Sequence, residues 1–143
     1  MHHISYKNQI MKEKQLIYNA IRTPDGTILV SYHRHDYKTH LDANGETYVI
    51  DGGLDYIRTS VNKIPAEDLS LYDDEPFEVI REHVFRGGRE KSGKEELKYV
   101  KLSEVDDEWL GAIIDYEEER RPNNPQLKWY NLENDYRNKL CTK

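Results

Sequence analysis

The chain has 143 residues, of which 36% are hydrophobic and 34% charged, with a formal net charge of −6. That length builds one modest core, or one core with a helical appendage, and the negative balance excludes a general nucleic-acid coat, because phosphate binding is driven by Lys and Arg. The lone Cys141 excludes an internal disulfide and a thiolate cluster and suits a reducing host cytoplasm, and no run approaches the ~20 apolar residues that a membrane span needs.

In chain order, residues 1–15 are polar and weakly patterned. Leu16 to Arg22 reads as a strand, Thr23-Pro24-Asp25-Gly26 as a turn, and Thr27 to Tyr32 as a second strand rich in β-branched residues. Asp36 to His40 reads as a third strand. Asp42-Ala43-Asn44-Gly45 carries the Asn-Gly hairpin signal, and Glu46 to Asp51 is a fourth strand. Two hairpins joined by His33-Arg34-His35-Asp36 predict an antiparallel meander. Gly52-Gly53 breaks the pleat where another chain or a ligand comes close.

Residues 60–70 look like a linker. Asp74 and Pro76 open a short amphipathic helix with Phe77, Ile80 and Val84 on one face, ending at Gly87-Gly88. A Gly/Lys/Arg loop follows to Lys98, then a strand through Leu97, Tyr99, Val100 and Leu102. Ser103 or Asp106 caps a helix bearing Trp109, Leu110, Ile113 and Ile114, and its acidic run Asp115 to Glu119 reads as a solvent face. Pro122-Asn123-Asn124-Pro125 turns the chain into a last helix with Leu127, Tyr130, Leu132, Tyr136 and Leu140. The expected class is α+β: an antiparallel β-ribbon or meander, a short helix, a basic loop and a C-terminal helical hairpin. The expected division is a β-rich domain over 1–62, with a polar N-terminal extension, and a helical module over 63–143.

The stretches Asn19 to Thr27, Arg34-His35-Asp36-Tyr37, Asp42 to Gly45 and Val49 to Arg58 resemble a family of small tailed-phage proteins. Arg86 to Tyr99, Leu102 to Ile114 and Asp135-Tyr136-Arg137 resemble a module appended to several phage proteins. The resemblance covers most of residues 16–138 and implies a phage accessory protein without implying an activity. The first half is also loosely similar to zinc-ribbon proteins that carry cysteine pairs in both turns. Those thiols are absent here, so no zinc of that type can bind, and turn chemistry with apolar packing must hold any ribbon.

The chemistry-bearing residues concentrate between 33 and 58. Arg22, Arg34 and Arg58 offer forked donors that match phosphate. Gly52 and Gly53 can present amides to an anion. His33 and His35 can donate or accept, Tyr37 or Tyr56 can stack a base, and Asp55 can hold a ribose hydroxyl. In the competing reading, Arg34, Asp36, Asp51 and Asp55 form an internal ion-pair network. A metal-dependent phosphoesterase built on His33, His35, His40, Asp36 and Asp51 is a further alternative, although no recognised ligand spacing is present. Arg86, Arg89, Lys91 and Lys94 form a basic loop that could close over a phosphorylated ligand. It is not a P-loop, since Glu95 stands where Ser or Thr should hold magnesium.

The expected function is therefore non-catalytic, with no cofactor and no metal. The chain is read as a homo-oligomeric sponge that sequesters a small phosphorylated ligand such as a nucleotide immune signal. A phosphoester hydrolase and a protein-binding inhibitor or adaptor are the alternatives.

Overall fold

A computed structural model describes residues 14–88 and 97–141. The protein is α+β, and the chain divides into two compact units at Pro76/Phe77.

The first unit is built on two alike hairpins. β2 (Ala20–Arg22) pairs antiparallel with β3 (Ile28–Val30), and β4 (Lys38–Leu41) with β5 (Thr47–Asp51). The closing turns repeat one hydrogen-bond scheme. Thr23 N–H donates to Thr27 O and Gly26 N–H to Thr23 O; Asp42 N–H donates to Glu46 O and Gly45 N–H to Asp42 O, all at 2.8–2.9 Å. Gly26 and Gly45 stand at the same place in each turn, with φ of 94° and 86°, a backbone region that glycine enters without steric penalty. The hairpins belong to separate three-stranded sheets, β3-β2-β7 and β4-β5-β6, and not to one continuous meander. Their third strands, β6 (Arg58–Thr59) and β7 (Glu67–Asp68), come from further along the chain.

Two expectations change here. The run 16–22 is broken at Asn19: β1 (Leu16–Tyr18) pairs with β8 (Leu71–Tyr72), while β2 joins the other sheet. Residues 63–76 are no helical leader, because β7 and β8 tie them to β2 and β1, and this moves the boundary from 62/63 to 76/77. The core of the first unit is Ile21, Leu29, Tyr48 and Ile50, with Ala66 packed against it. The Tyr48 ring is buried while its hydroxyl donates to Ile64 O, which fixes the returning segment.

The second unit starts with α1 (Phe77–Ile80), a single turn in place of the longer helix expected. β9 (Phe85–Gly88) and β10 (Lys98–Lys101) then form an antiparallel hairpin, from Gly88 opposite Lys98 to Phe85 opposite Lys101. Gly87 and Gly88 therefore lie in a strand and end no helix. A Cβ at Gly88 would stand 2.7 Å from the Trp109 ring, so the missing side chain lets the helix that carries Trp109 approach. A 3-10 turn over Leu102–Glu104 leads to α2 (Asp107–Arg120). Asp106 is its cap, accepting from Trp109 N–H, and Asp107 and Glu108 in the first turn complement the dipole. α2 ends before Pro122, which cannot continue it. α3 (Leu127–Cys141) packs against α2 as the expected hairpin. No helix among the described residues is long and apolar enough to cross a membrane.

Candidate functional site

The segments 31–37 and 51–58 meet at one corner of the first unit, and Asn19 is its centre. Asn19 is fully buried, and its Nδ2 faces Asp51 O at 3.1 Å, Gly53 O at 2.9 Å and Tyr56 O at 3.2 Å. Gly53 N–H donates to Ser31 Oγ at 2.9 Å, and Ser31 Oγ donates to Asp36 O at 2.7 Å. A Cβ at Gly52 would lie 2.0 Å from Tyr56 O, and one at Gly53 2.2 Å from the His33 carbonyl carbon. The close approach that two glycines permit is thus made by the chain to itself. The Gly53 amide is already engaged by Ser31, so the corner is not the anion nest that the glycines suggested.

The charges around this corner divide into bracing and exposed groups. Asp36 braces: its carboxylate accepts from Tyr32 N–H at 2.8 Å and Lys38 Nζ at 3.1 Å and closes the 32–36 turn. That turn takes the place of strand geometry over 33–35, so successive side chains there do not alternate between two faces as on a strand. Asp51 is buried and takes Arg58 Nη2 at 2.8 Å. Arg34 meets Asp55 loosely, at 3.6 Å, with both side chains more than half exposed. His33, His35, Tyr37 and Tyr56 are exposed. Arg22 is not part of the corner: it pairs with Glu67 across β2 and β7 at 2.8 Å.

Beside the corner lies an open hollow of about 530 Å³. It is lined by Lys14, Leu16, Leu54, Asp55, Tyr56 and Tyr72, together with Gln15 and Ile57. Two of the expected ligand residues, Asp55 and Tyr56, face it; Lys14 and Tyr72 were not foreseen. Lys14 also pairs with Asp74 at 3.0 Å. Tyr72 comes from β8, just ahead of the Asp74 and Pro76 that read as a helix opening, so nothing local marked it as a strand residue. A second groove, of about 270 Å³, runs between β6 and β7 and is lined by Ile21, Tyr48, Ile57, Val61, Pro65 and Ala66, among others.

Among the described residues, the set of metal-ligating types that converges differs from the one read in sequence. Asp25, His40 and Asp42 bring one ligand atom each within 4.8 Å of the others, where the two hairpin turns meet. Only His40 was among the residues weighed for a metal. Asp25 Oδ1 accepts from Thr23 Oγ1, Thr27 N–H and Thr27 Oγ1 at 2.6–3.0 Å; Oδ2 takes His40 Nε2 at 2.9 Å and Ala43 N–H at 3.0 Å. Asp42 answers from the other turn, accepting Asp25 N–H at 3.1 Å and Asn44 N–H at 3.2 Å. The Thr27 hydroxyl, then His40, hold the Asp25 carboxyl well below the usual carboxylate range.

In the second unit Arg86 is no arm of a ligand loop. Its guanidinium donates to the buried Glu117 at 2.8 Å, and Glu117 also takes Arg121 and Asn124. Glu133, equally buried, takes Arg81 through two bonds of 2.7–2.8 Å and Arg137 at 2.7 Å. The acidic run 115–119 is therefore not wholly a solvent face. Burial pushes the Glu117 carboxyl up, but bonds from Arg121, Asn124 and Arg86 outweigh it and bring the pKa to about 2. The i, i+4 spacing of Glu117 with Arg121 and of Glu133 with Arg137 was a local signal of these pairs. Arg89, Lys91 and Lys94 lie outside the described residues.

No family model matches the chain, and no curated protein and no solved structure matches it either.

Proposed function

We propose that the first unit is a non-catalytic recognition module that holds a small phosphorylated ligand, with a planar ring against Tyr56 and Tyr72. The observation that carries this reading is the hollow beside the Gly52-Gly53 corner. Its volume falls in the range of small-molecule sites, roughly 300–1,000 Å³. It combines two partly exposed tyrosines, an ammonium at Lys14 and a carboxylate at Asp55, and the Arg34 guanidinium stands at its edge through Asp55. Lys14 and Arg34 sit in exposed ion pairs, which are worth little in water. A phosphate can take them over at low cost and gain the bidentate geometry that a carboxylate 3.6 Å away does not use. Sequestration by a phage accessory protein in the host cytoplasm is the role that this chemistry fits, and self-association through the second unit belongs to the same proposal. There, Leu132 and Leu140 stand exposed in one row with Tyr136 on α3.

The test is release and rebinding. Denaturing the purified protein and examining the supernatant by mass spectrometry should yield an intact nucleotide-like molecule, and thermal shift with nucleoside phosphates should then identify the class. Tyr56→Ala and Arg34→Ala should each weaken capture about tenfold, the effect of losing roughly 1.4 kcal/mol, with an unchanged melting temperature. A hydrolysed product in place of intact ligand would point to the phosphoesterase alternative.

A second reading is favoured by a different observation. Val61 is fully exposed, Leu41 is 69% exposed and Tyr37 57% exposed. Exposed aromatic and aliphatic groups on a braced scaffold suit a protein-binding inhibitor or adaptor. Flat thermal shifts with every phosphorylated ligand, together with one host protein captured in stoichiometric amount, would favour it over the first.

A further inference from the structure

We infer that the junction of the two hairpin turns is a metal-free latch, closed by Asp25, His40 and Asp42 through hydrogen bonds alone, with Asp25 as its keystone. The inference is independent of the ligand hollow. The three residues are of metal-ligating type and their atoms converge, so the question is what fills the space between them. The donors around these side chains decide it.

Asp25 faces five donors: two threonine hydroxyls, two backbone amides and one imidazole nitrogen. An ionised carboxylate has about four lone-pair sites, so no acceptor capacity is left for a cation. The same donors hold its carboxyl in the ionised form. Since an ionised carboxylate can only accept, the proton in the 2.9 Å contact belongs to His40 Nε2. A protonated ring nitrogen has no lone pair for a metal. Asp42 uses one oxygen on Asp25 N–H and the other on Asn44 N–H, and its Oδ1 stands 3.8 Å from His40 Nε2. A transition metal would have to expel the His40 proton and displace backbone amides that have no other acceptor.

The latch also has a reciprocal form that a coordination sphere lacks. The backbone of each turn donates to the side chain of the other: Asp25 N–H to Asp42, and Ala43 N–H to Asp25. Each aspartate thus satisfies the opposite backbone, and both turns share one bonding scheme and a glycine in the same place. The pair closes on itself without an added ion.

The experiment uses the full chain, with unfolding followed by far-UV circular dichroism in buffer, in excess EDTA and in a zinc titration, and with metal content read by atomic emission. The expected result is no stoichiometric metal, the same melting temperature with and without EDTA, and no saturable rise with zinc. Asp25→Asn places an amide donor among donors and should lower the midpoint by roughly 5–10 °C. His40→Gln keeps an N–H donor while discarding the metal-binding ring, and should stay within about 3 °C of the wild type. Zinc present at one per chain, a midpoint lowered by EDTA, or a zinc-dependent rise that His40→Gln abolishes would each overturn the latch. If Asp25→Asn does not fold, the wild-type arms and His40→Gln still decide.

Discussion

The two units solve one problem, closing a small core with many polar residues, in opposite ways. In the first, the polar groups that brace the fold are mainly backbone amides and carbonyls gathered by short side chains. Asn19 gathers three carbonyls, Ser31 links Gly53 to Asp36, and the two turn aspartates hold each other's backbone. In the second, bracing is by long side chains. Glu117 and Glu133 are fully buried and are met by Arg86, Arg121, Arg81 and Arg137. Short side chains tie backbone to backbone and leave the arginines of the first unit at the surface. In the second unit Arg81, Arg86 and Arg137 are drawn inward onto the buried carboxylates. An arginine read from sequence therefore stays near the surface in one unit and can be a girder in the other.

The sharpest way to break this comparison is to remove one buried glutamate. Glu133→Ala removes the buried carboxylate that Arg81 and Arg137 share, both 18% exposed in their side chains, and leaves them only the more exposed carboxylates of Glu82 and Asp107. It should destabilise the second unit by about 3–5 kcal/mol. Trp109 and Trp129 both lie in that unit, so tryptophan fluorescence in a urea titration reads the loss there. An unchanged fluorescence midpoint would mean that the buried pairs do not carry the unit.

Next in size is Gly53→Ala, because φ is +54° and the new Cβ would lie 2.2 Å from the His33 carbonyl carbon, on backbone that cannot swing aside. A loss above about 2 kcal/mol is expected, against about 1 kcal/mol for Gly45→Ala, which meets open space and carries only the conformational penalty. Equal losses at the two glycines would show that the corner is looser than its contacts imply. Asn19→Ala belongs just below. It leaves three carbonyls without their shared donor and should lose about 1–3 kcal/mol, measured by chemical denaturation.

The smallest effect sharpens the contrast. Arg34→Ala removes an exposed pair 3.6 Å long and should change stability by less than about 0.5 kcal/mol, which makes it a clean probe of recognition. Acid should also test the second unit. The Glu117 carboxyl titrates at about 2 in the folded protein and near ~4.3 when unfolded. Its folded value is depressed, so its contribution is present above the unfolded value and fades as pH falls from about 4 toward 2. Tryptophan fluorescence across that window should show stability falling in the wild type and a flatter profile in Glu117→Gln.

Sequence reading reached the hairpins, the Asp106 cap, the α2–α3 hairpin and the α+β class, because each rests on local chemistry. A turn needs its glycine within four residues, a cap acts on the next turn of helix, and a buried helix face repeats every three or four positions. It also located the crowded segment 33–58. It could not say which members brace and which face outward, because that depends on Asn19, Ser31, Lys14 and Tyr72. Asn19, Lys14 and Tyr72 arrive from outside that segment, Ser31 bonds to Gly53 22 residues away, and none of them carries a local mark. The boundary at 76 was missed for the same reason, since two-residue strands such as β7 and β8 form only where a partner edge is waiting. The amino-acid sequence by itself determined the two turn-closed hairpins, the C-terminal helical pair, the turn residues and the absence of thiols at the turns. Tertiary structure alone decided that Asp25 and Asp42 clasp each other, that Glu117 leaves the acidic face for the interior, and that the two glycines admit their own chain. Pairing between distant residues follows from which surfaces burial brings together, and local propensity is blind to that.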